Sequence, residues 1–141
     1  MEELTQEGKD TSFFEVAGVS MWPFLSSGQK LIIKRVPVDK LRVGDIIIYK
    51  MKDSPPVCHR LVSIKKSAGK RSLYCRGDAS FYPPELVEND MVLGRASGVV
   101  KNNRIFSMDG NVARLIQRLI ACAAPLVARL TLIARILLNK R

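Results

Sequence analysis

The chain has 141 residues, of which 47% are hydrophobic and 26% are charged. This size and balance are typical of one folded domain with its own core, and they exclude a disordered chain. Residues 1–15 carry five acidic side chains and one basic side chain, whereas the rest of the chain carries 22 basic and 8 acidic. The positive excess favours an anionic partner, although a solvated basic surface is the simpler alternative.

The cysteine and histidine content argues against a metal site. The chain has three cysteines, none of them in a C-x-x-C pair, and His59 is its one histidine. A structural zinc ion takes about four such ligands at short spacings. The glycine-rich motifs of nucleotide sites are also missing. We therefore expect no metal and no cofactor, and the odd cysteine count argues against a disulfide framework.

Residues 1–12 are polar and predict a disordered acidic N-terminus, without the apolar run of a signal peptide or membrane span. Short β-type runs follow, separated by Gly, Pro, Asp and Asn. They predict seven strands, at residues 13–17, 30–36, 45–51, 57–64, 72–76, 91–100 and 104–107. This spacing is typical of a compact antiparallel β barrel or sandwich, which we place at residues 13–108.

Residues 109–141 change to a helical pattern. On a helical wheel the basic and amide side chains fall within an arc of about 140°, and leucine and isoleucine lie opposite. Pro125 is expected to break or bend this helix. The longest uncharged run, residues 119–128, is about half the length that a bilayer crossing needs. The pattern predicts peripheral attachment to an anionic membrane. The alternative is a cytoplasmic protein whose helix packs on the β domain or between chains.

Three polar residues are candidates for a catalytic site. Ser20 lies among hydrophobic neighbours after the first predicted strand, and His59 lies within the fourth. If a hairpin closes around the basic stretch 65–71, Asp78 lies opposite His59 on the same face. Serine, histidine and aspartate are the parts of a hydroxyl nucleophile, its general base and the carboxylate that orients the base. Taken by itself, a histidine on such a strand is more often a hydrogen-bonded core residue than a catalytic base, and the carboxylate on the next strand favours the catalytic interpretation.

The motifs add a family resemblance to this constellation. Five stretches, in order, resemble the boxes of the type I signal peptidase superfamily: GVSMWPFL, VGDIIIYK, PPVCHRLVSI, LYCRGDAS and ENDMVLGRASGVV. They cover about residues 13–105. The resemblance implies a β fold of signal-peptidase type, Ser20 as nucleophile, and His59 as base, as in the endoplasmic-reticulum and archaeal branch. It also implies a role for Asp78 in the GD box, and cleavage after small residues of an extended, leader-like peptide.

The chain departs from the family pattern in three respects. Gly18 and Val19 replace a small hydroxyl residue that often helps to hold the oxyanion, so the backbone N–H of Ser20 has more to do. Glu85 stands where this branch often has a second aspartate, and it is the candidate to substitute for that residue. The usual N-terminal membrane anchor is not expected.

Two other functions remain open at this stage. The first is a relative of the LexA-type repressor autoproteases, which share the β fold and use lysine as base. The second is a non-catalytic basic module that binds a membrane or a peptide. Nucleic acid is disfavoured as a partner because the chain has nine aromatic residues and its arginines are sorted onto one helix face.

Overall fold

The computed structural model describes residues 11–139. The predicted disordered N-terminus falls outside this range except for Thr11 and Ser12, which begin the first strand, and residues 140–141 also fall outside. The described residues form eight strands and one long helix. The strands are β1 (Thr11–Glu15), β2 (Lys30–Lys34), β3 (Ile46–Tyr49), β4 (Val57–Ser67), β5 (Lys70–Arg76), β6 (Glu85–Val87), β7 (Val92–Lys101) and β8 (Arg104–Ser107), and the helix is α1 (Asn111–Leu138).

The strands form one antiparallel sheet in the order β1-β2-β7-β3-β4-β5-β6, and β8 pairs with the far end of β7. The prediction of a mainly antiparallel β fold with a C-terminal helix is confirmed. The sheet does not close into a barrel, because its two end strands, β1 and β6, do not pair with each other. Both end strands are short, at five and three residues.

The core lies on both faces of the central strand β3, whose four residues are all buried. Ile46 and Ile48 point into one apolar cluster, and Ile47 and Tyr49 point into a second. This division follows from the alternation of side chains along a strand. A strand that is buried on both faces reads as a continuous apolar run, as "IIIY" does here.

Strand β6 was not predicted. It has three residues, directly after Pro83 and Pro84, and it pairs with Leu73–Cys75 of β5. A strand this short shows no alternation in sequence, so periodicity could not reveal it. Its place in the sheet matters for the site, because it begins at Glu85.

Helix α1 continues through Pro125, so of the two predicted outcomes, two helices or one bent helix, the first is wrong. A proline removes one amide donor from this 28-residue helix, and the remaining turns keep theirs. The start of α1 docks on the loop before β3. A Cβ added to Gly44 would lie 2.6 Å from the backbone nitrogen of Arg118, and Arg114 lies 3.3 Å from the Asp45 carboxylate.

Candidate active site

Ser20 is held at the surface by a loop that is anchored in the core. The loop follows β1, and Met21 and Leu25, on the C-terminal side of Ser20, are both buried in the apolar cluster that contains Ile46. The amide of Leu25 donates to the carbonyl of Met21 at 2.9 Å, which closes a tight turn. Ser20 itself is only half-buried. The apolar neighbours of Ser20 therefore fix its position, and the residue stays partly exposed.

His59 meets Ser20 across the fold. It lies on β4 opposite Ile47 of β3 and is half-buried. Its Nε2 atom lies 3.2 Å from Oγ of Ser20. This distance is at the long end of a hydrogen bond, as is common for catalytic pairs without a bound substrate. The structure thus brings together the two residues that the sequence proposed as nucleophile and base.

The other nitrogen of His59 is held by a residue that the sequence reasoning missed. Nδ1 of His59 lies 2.9 Å from the hydroxyl of Tyr49, and that hydroxyl donates to Oε2 of Glu85 at 2.7 Å. A phenol has one proton. Because Tyr49 gives its proton to Glu85, its oxygen accepts from Nδ1–H of His59. The proton of the neutral imidazole is then on Nδ1, and Nε2 is free to accept the proton of Ser20.

The ionisation states agree with this assignment. Burial lowers the pKa of His59 below its ordinary value, although the carboxylates of Glu85 and Asp78 oppose the shift. Burial, together with the hydrogen bond to Glu85, raises the pKa of Tyr49 well above its usual range. At neutral pH His59 is therefore an uncharged base and Tyr49 keeps its proton. Both states are needed for general-base catalysis by Nε2.

The predicted pairing of Asp78 with His59 is wrong. Strand β4 carries a β-bulge between Leu61 and Ser63, which shifts the register against β5 by one residue, and β5 ends at Arg76, opposite Arg60. Asp78 lies beyond the strand, where its two oxygens accept from Nε and Nη2 of Arg60 at 2.7 and 2.6 Å. Both carboxylate oxygens are thus occupied by the guanidinium, and Tyr49 is the hydrogen-bond partner of the imidazole.

Asp78 still affects the site through the loop that carries it. The amide of Ala79 donates to the carbonyl of Ser20 at 2.8 Å. A Cβ added to Gly77 would lie 2.5 Å from that same carbonyl oxygen, so only glycine allows the two loops to approach this closely. The ion pair between Asp78 and Arg60 therefore holds in place a loop that supports the backbone of Ser20.

Arg60 also connects this loop to α1. The side chain is fully buried, and its Nη1 atom donates to the carbonyl of Gly44 at 3.0 Å and to the side-chain oxygen of Gln117. Its guanidinium lies 5.8 Å from the ring centre of Phe24 in the Ser20 loop. One buried cation thus links the helix, the Asp78 loop and the Ser20 loop. The "HR" box supplies both the base and this link, and sequence reasoning used only the base.

Two further features suit acyl transfer. The backbone N–H of Ser20 has no hydrogen-bond partner within residues 11–139, so it is free to hold a developing oxyanion. A cleft of about 660 Å³ runs beside β1. Apolar side chains such as Val16 and Ile48 line it together with charged ones such as Arg35 and Lys50, and neither Ser20 nor His59 is part of the lining. Among residues 11–139, no group of three His, Cys, Asp or Glu side chains is placed to hold a metal ion.

Comparison with family models, with curated proteins and with solved structures finds no match for this chain.

Proposed function

We propose that the protein is a serine endopeptidase in which Ser20 is the nucleophile and His59 is the general base. The observation that carries the proposal is the hydrogen-bonded series Ser20–His59–Tyr49–Glu85, with separations of 3.2, 2.9 and 2.7 Å. A histidine that only stabilises the fold needs one hydrogen-bond partner. This one has its two nitrogens divided between the hydroxyl of a partly exposed serine and a buried phenol with a fixed proton, which is the arrangement that a general base requires.

The geometry supports a two-step mechanism. Nε2 of His59 takes the proton of Ser20 as Oγ attacks the carbonyl carbon of the peptide, and the Ser20 amide donates to the resulting oxyanion. The imidazolium then gives its proton to the leaving amine. Water next attacks the acyl carbonyl as His59 takes its proton, and His59 returns a proton to Oγ of Ser20 as the carboxylic acid product leaves. The positive charge that forms on His59 is stabilised by the Glu85 carboxylate, acting through Tyr49.

An extended peptide suits the open edge of β1 and the cleft beside that strand. Strand β1 pairs on one side with β2, and it is the last strand of the sheet among the described residues, so its other edge can take a further strand. The cleft follows β1 and ends its lining at Ala17, three positions before Ser20 in the chain. The resemblance to signal peptidases adds the expectation that small side chains precede the cleaved bond in a leader-like substrate.

Comparison of the wild-type protein with Ser20→Ala tests the catalytic assignment. The purified proteins are incubated with a peptide library, and cleaved products are identified by mass spectrometry. Wild type and the control Ser54→Ala, which alters an exposed serine away from His59, should cut the same bonds. Ser20→Ala should cut none and should unfold at the same temperature. Cleavage by Ser20→Ala would refute the proposal.

Helix α1 supports a second element of the proposal, attachment to an anionic membrane surface. It is long and apolar enough, by length and composition, to cross a bilayer, and its buried residues are three alanines. Twelve large apolar side chains of the helix are exposed: Val112, Leu115, Ile116, Leu119, Leu126, Val127, Leu130, Leu132, Ile133, Ile136, Leu137 and Leu138. Four arginines are spread along the same helix, which contains no acidic residue. Arginines at these positions favour a helix that lies in the interface over one that crosses it.

Vesicle sedimentation tests the membrane contact. The triple variant Leu126→Gln, Leu130→Gln and Ile133→Gln removes exposed apolar side chains from α1 and should leave the protein in the supernatant. The control changes Ile105 and Phe106 of β8, which are also exposed, to Gln and should sediment like wild type with anionic vesicles. Equal sedimentation of all three proteins would show that α1 is not the membrane contact.

A further inference from the structure

A second cleft, separate from the Ser20 site, lies between the start of α1, the loop before β3 and the β4–β5 hairpin. Its volume is about 800 Å³. Five cationic side chains line it: Arg42, Lys66, Arg71, Arg114 and Arg118. They come from three parts of the chain that are far apart in sequence, so the fold assembles this concentration of charge. Nothing in the proposed proteolytic mechanism uses it.

The protein itself does not neutralise this charge. Two carboxylates line the cleft, Asp39 and Asp45. Asp45 is already engaged by Arg114 at 3.3 Å and by Arg95 at 3.9 Å. Arg71 donates its terminal nitrogens to two backbone carbonyls, which are uncharged acceptors. The positive charge of the cleft therefore exceeds the negative charge available within it.

Three of the cations are free to bind a ligand. The side chains of Arg42, Lys66 and Arg118 are exposed, and none of them forms a hydrogen bond or ion pair with the residues that the structure describes. Among the described residues, the Nε atoms of Arg71 and Arg114 are buried and have no hydrogen-bond partner. The arginines of the cleft thus have donors that the protein does not use. A leftover buried donor is unfavourable, and an oxygen-rich anion can relieve it after a small movement of the side chain.

The start of α1 adds to the positive electrostatic potential of the cleft. The helix begins at Asn111, which lines the cleft, and it has no side-chain cap and no acidic residue in its first turn. The amide groups of a helix N-terminus carry partial positive charge and bind phosphate readily. Side-chain cations and uncapped amides therefore converge on one site from separate elements.

We propose that this cleft binds the phosphate of an anionic phospholipid headgroup, with Arg42, Lys66 and Arg118 as its direct ligands. The lipid source follows from the apolar residues next to the cations. Leu115 lines the cleft and is 58% exposed, and Leu119, one turn further along α1, is 60% exposed. Acyl chains attached to a phosphate in the cleft would lie along these side chains. A free phosphate ion would leave Leu115 and Leu119 exposed to water.

Two charge-matched triple variants test the site. The cleft variant is Arg42→Gln, Lys66→Gln and Arg118→Gln, and the control is Lys52→Gln, Lys101→Gln and Arg104→Gln. All six side chains are exposed, so both proteins should fold, and each loses three positive charges. Binding is measured to phosphatidylcholine vesicles that contain phosphatidic acid, to a water-soluble short-chain phosphatidic acid, and to inorganic phosphate.

The cleft variant should lose about 100-fold in affinity for the vesicles, because three basic contacts to an anionic headgroup are removed. The control should lose at least tenfold less. The short-chain lipid should bind the wild type and the control, but not the cleft variant, and more tightly than inorganic phosphate. Equal losses in the two variants would reduce the site to a general basic surface and overturn the proposal. Equal binding of inorganic phosphate and short-chain lipid would overturn the lipid source, and neither result bears on proteolysis.

Discussion

Replacing Tyr49 with phenylalanine isolates the contact that would give His59 the tautomer required of the proposed base. Tyr49 is fully buried, so it touches no substrate, and its hydroxyl is the hydrogen-bond partner of Nδ1 of His59 at 2.9 Å. Phenylalanine keeps the ring and removes only that acceptor. The imidazole then keeps its proton on Nδ1 without a partner, or moves it to Nε2 and points it at Ser20. The second form cannot act as a base toward Ser20.

The magnitude follows from the cost of an unpaired buried donor. Leaving Nδ1–H of the half-buried His59 without an acceptor costs about 1–3 kcal/mol, which favours the inactive tautomer by roughly 5- to 150-fold. We expect kcat for peptide cleavage to fall within that range and KM to stay the same. The loss should persist on the high-pH plateau, because the two tautomers carry the same charge. The free energy of unfolding should fall by no more than these same ~1–3 kcal/mol, since Glu85 is exposed and water can solvate its carboxylate.

Steady-state kinetics at several pH values, with Tyr74→Phe as control, measure this effect. Tyr74 is a half-buried tyrosine of β5 whose ring lies near Lys65, and its hydroxyl is not part of the series. Glu85→Gln should also lower kcat, because the phenol can then turn its proton toward His59, whereas Glu88→Gln should not. Wild-type kcat in Tyr49→Phe would refute the tautomer argument.

Four more predictions concern this series and its surroundings. Asp78→Asn leaves the buried arginine partner without a counter-charge, so the free energy of unfolding in denaturant should fall by about 3 kcal/mol; unchanged stability with a selective loss of kcat would instead support a direct role on His59. Gly77→Ala should reduce cleavage about 100-fold, because its Cβ would lie 2.5 Å from the Ser20 carbonyl oxygen and push the nucleophile out of place, whereas Gly110→Ala, which has open space, should leave cleavage unchanged. The rate of cleavage should rise with pH through an apparent pKa below 6.5, since burial lowers the pKa of His59, and a rate that climbs to about pH 10 would implicate a lysine instead. The same shift means that the unfolded chain binds more protons than the folded one near pH 6, so this group should reduce stability as the pH falls below about 6.5.

Local patterns in the sequence were enough to predict the fold class and the proposed nucleophile and base. Alternating and β-branched runs indicated the strands, and the Leu/Arg periodicity after residue 109 indicated the C-terminal helix. Ser20 and His59 stood in motifs whose residue types already limit the chemistry. These features depend on neighbours within a few positions, which the sequence shows directly.

The partners of those residues were decided by the tertiary structure. A single bulge after Leu61 moved Asp78 out of register with His59, because a slip of one residue along a strand turns every side chain to the other face. Tyr49 could have been suspected, since it shares a face of β3 with Ile47, the residue opposite His59. The family resemblance pointed to Glu85 in place of a second aspartate, but not to its contact with Tyr49, because Glu85 reaches the site on a three-residue strand whose position depends on pairing with β5. Contacts across many residues depend on register and sheet order, and only the folded chain determines both.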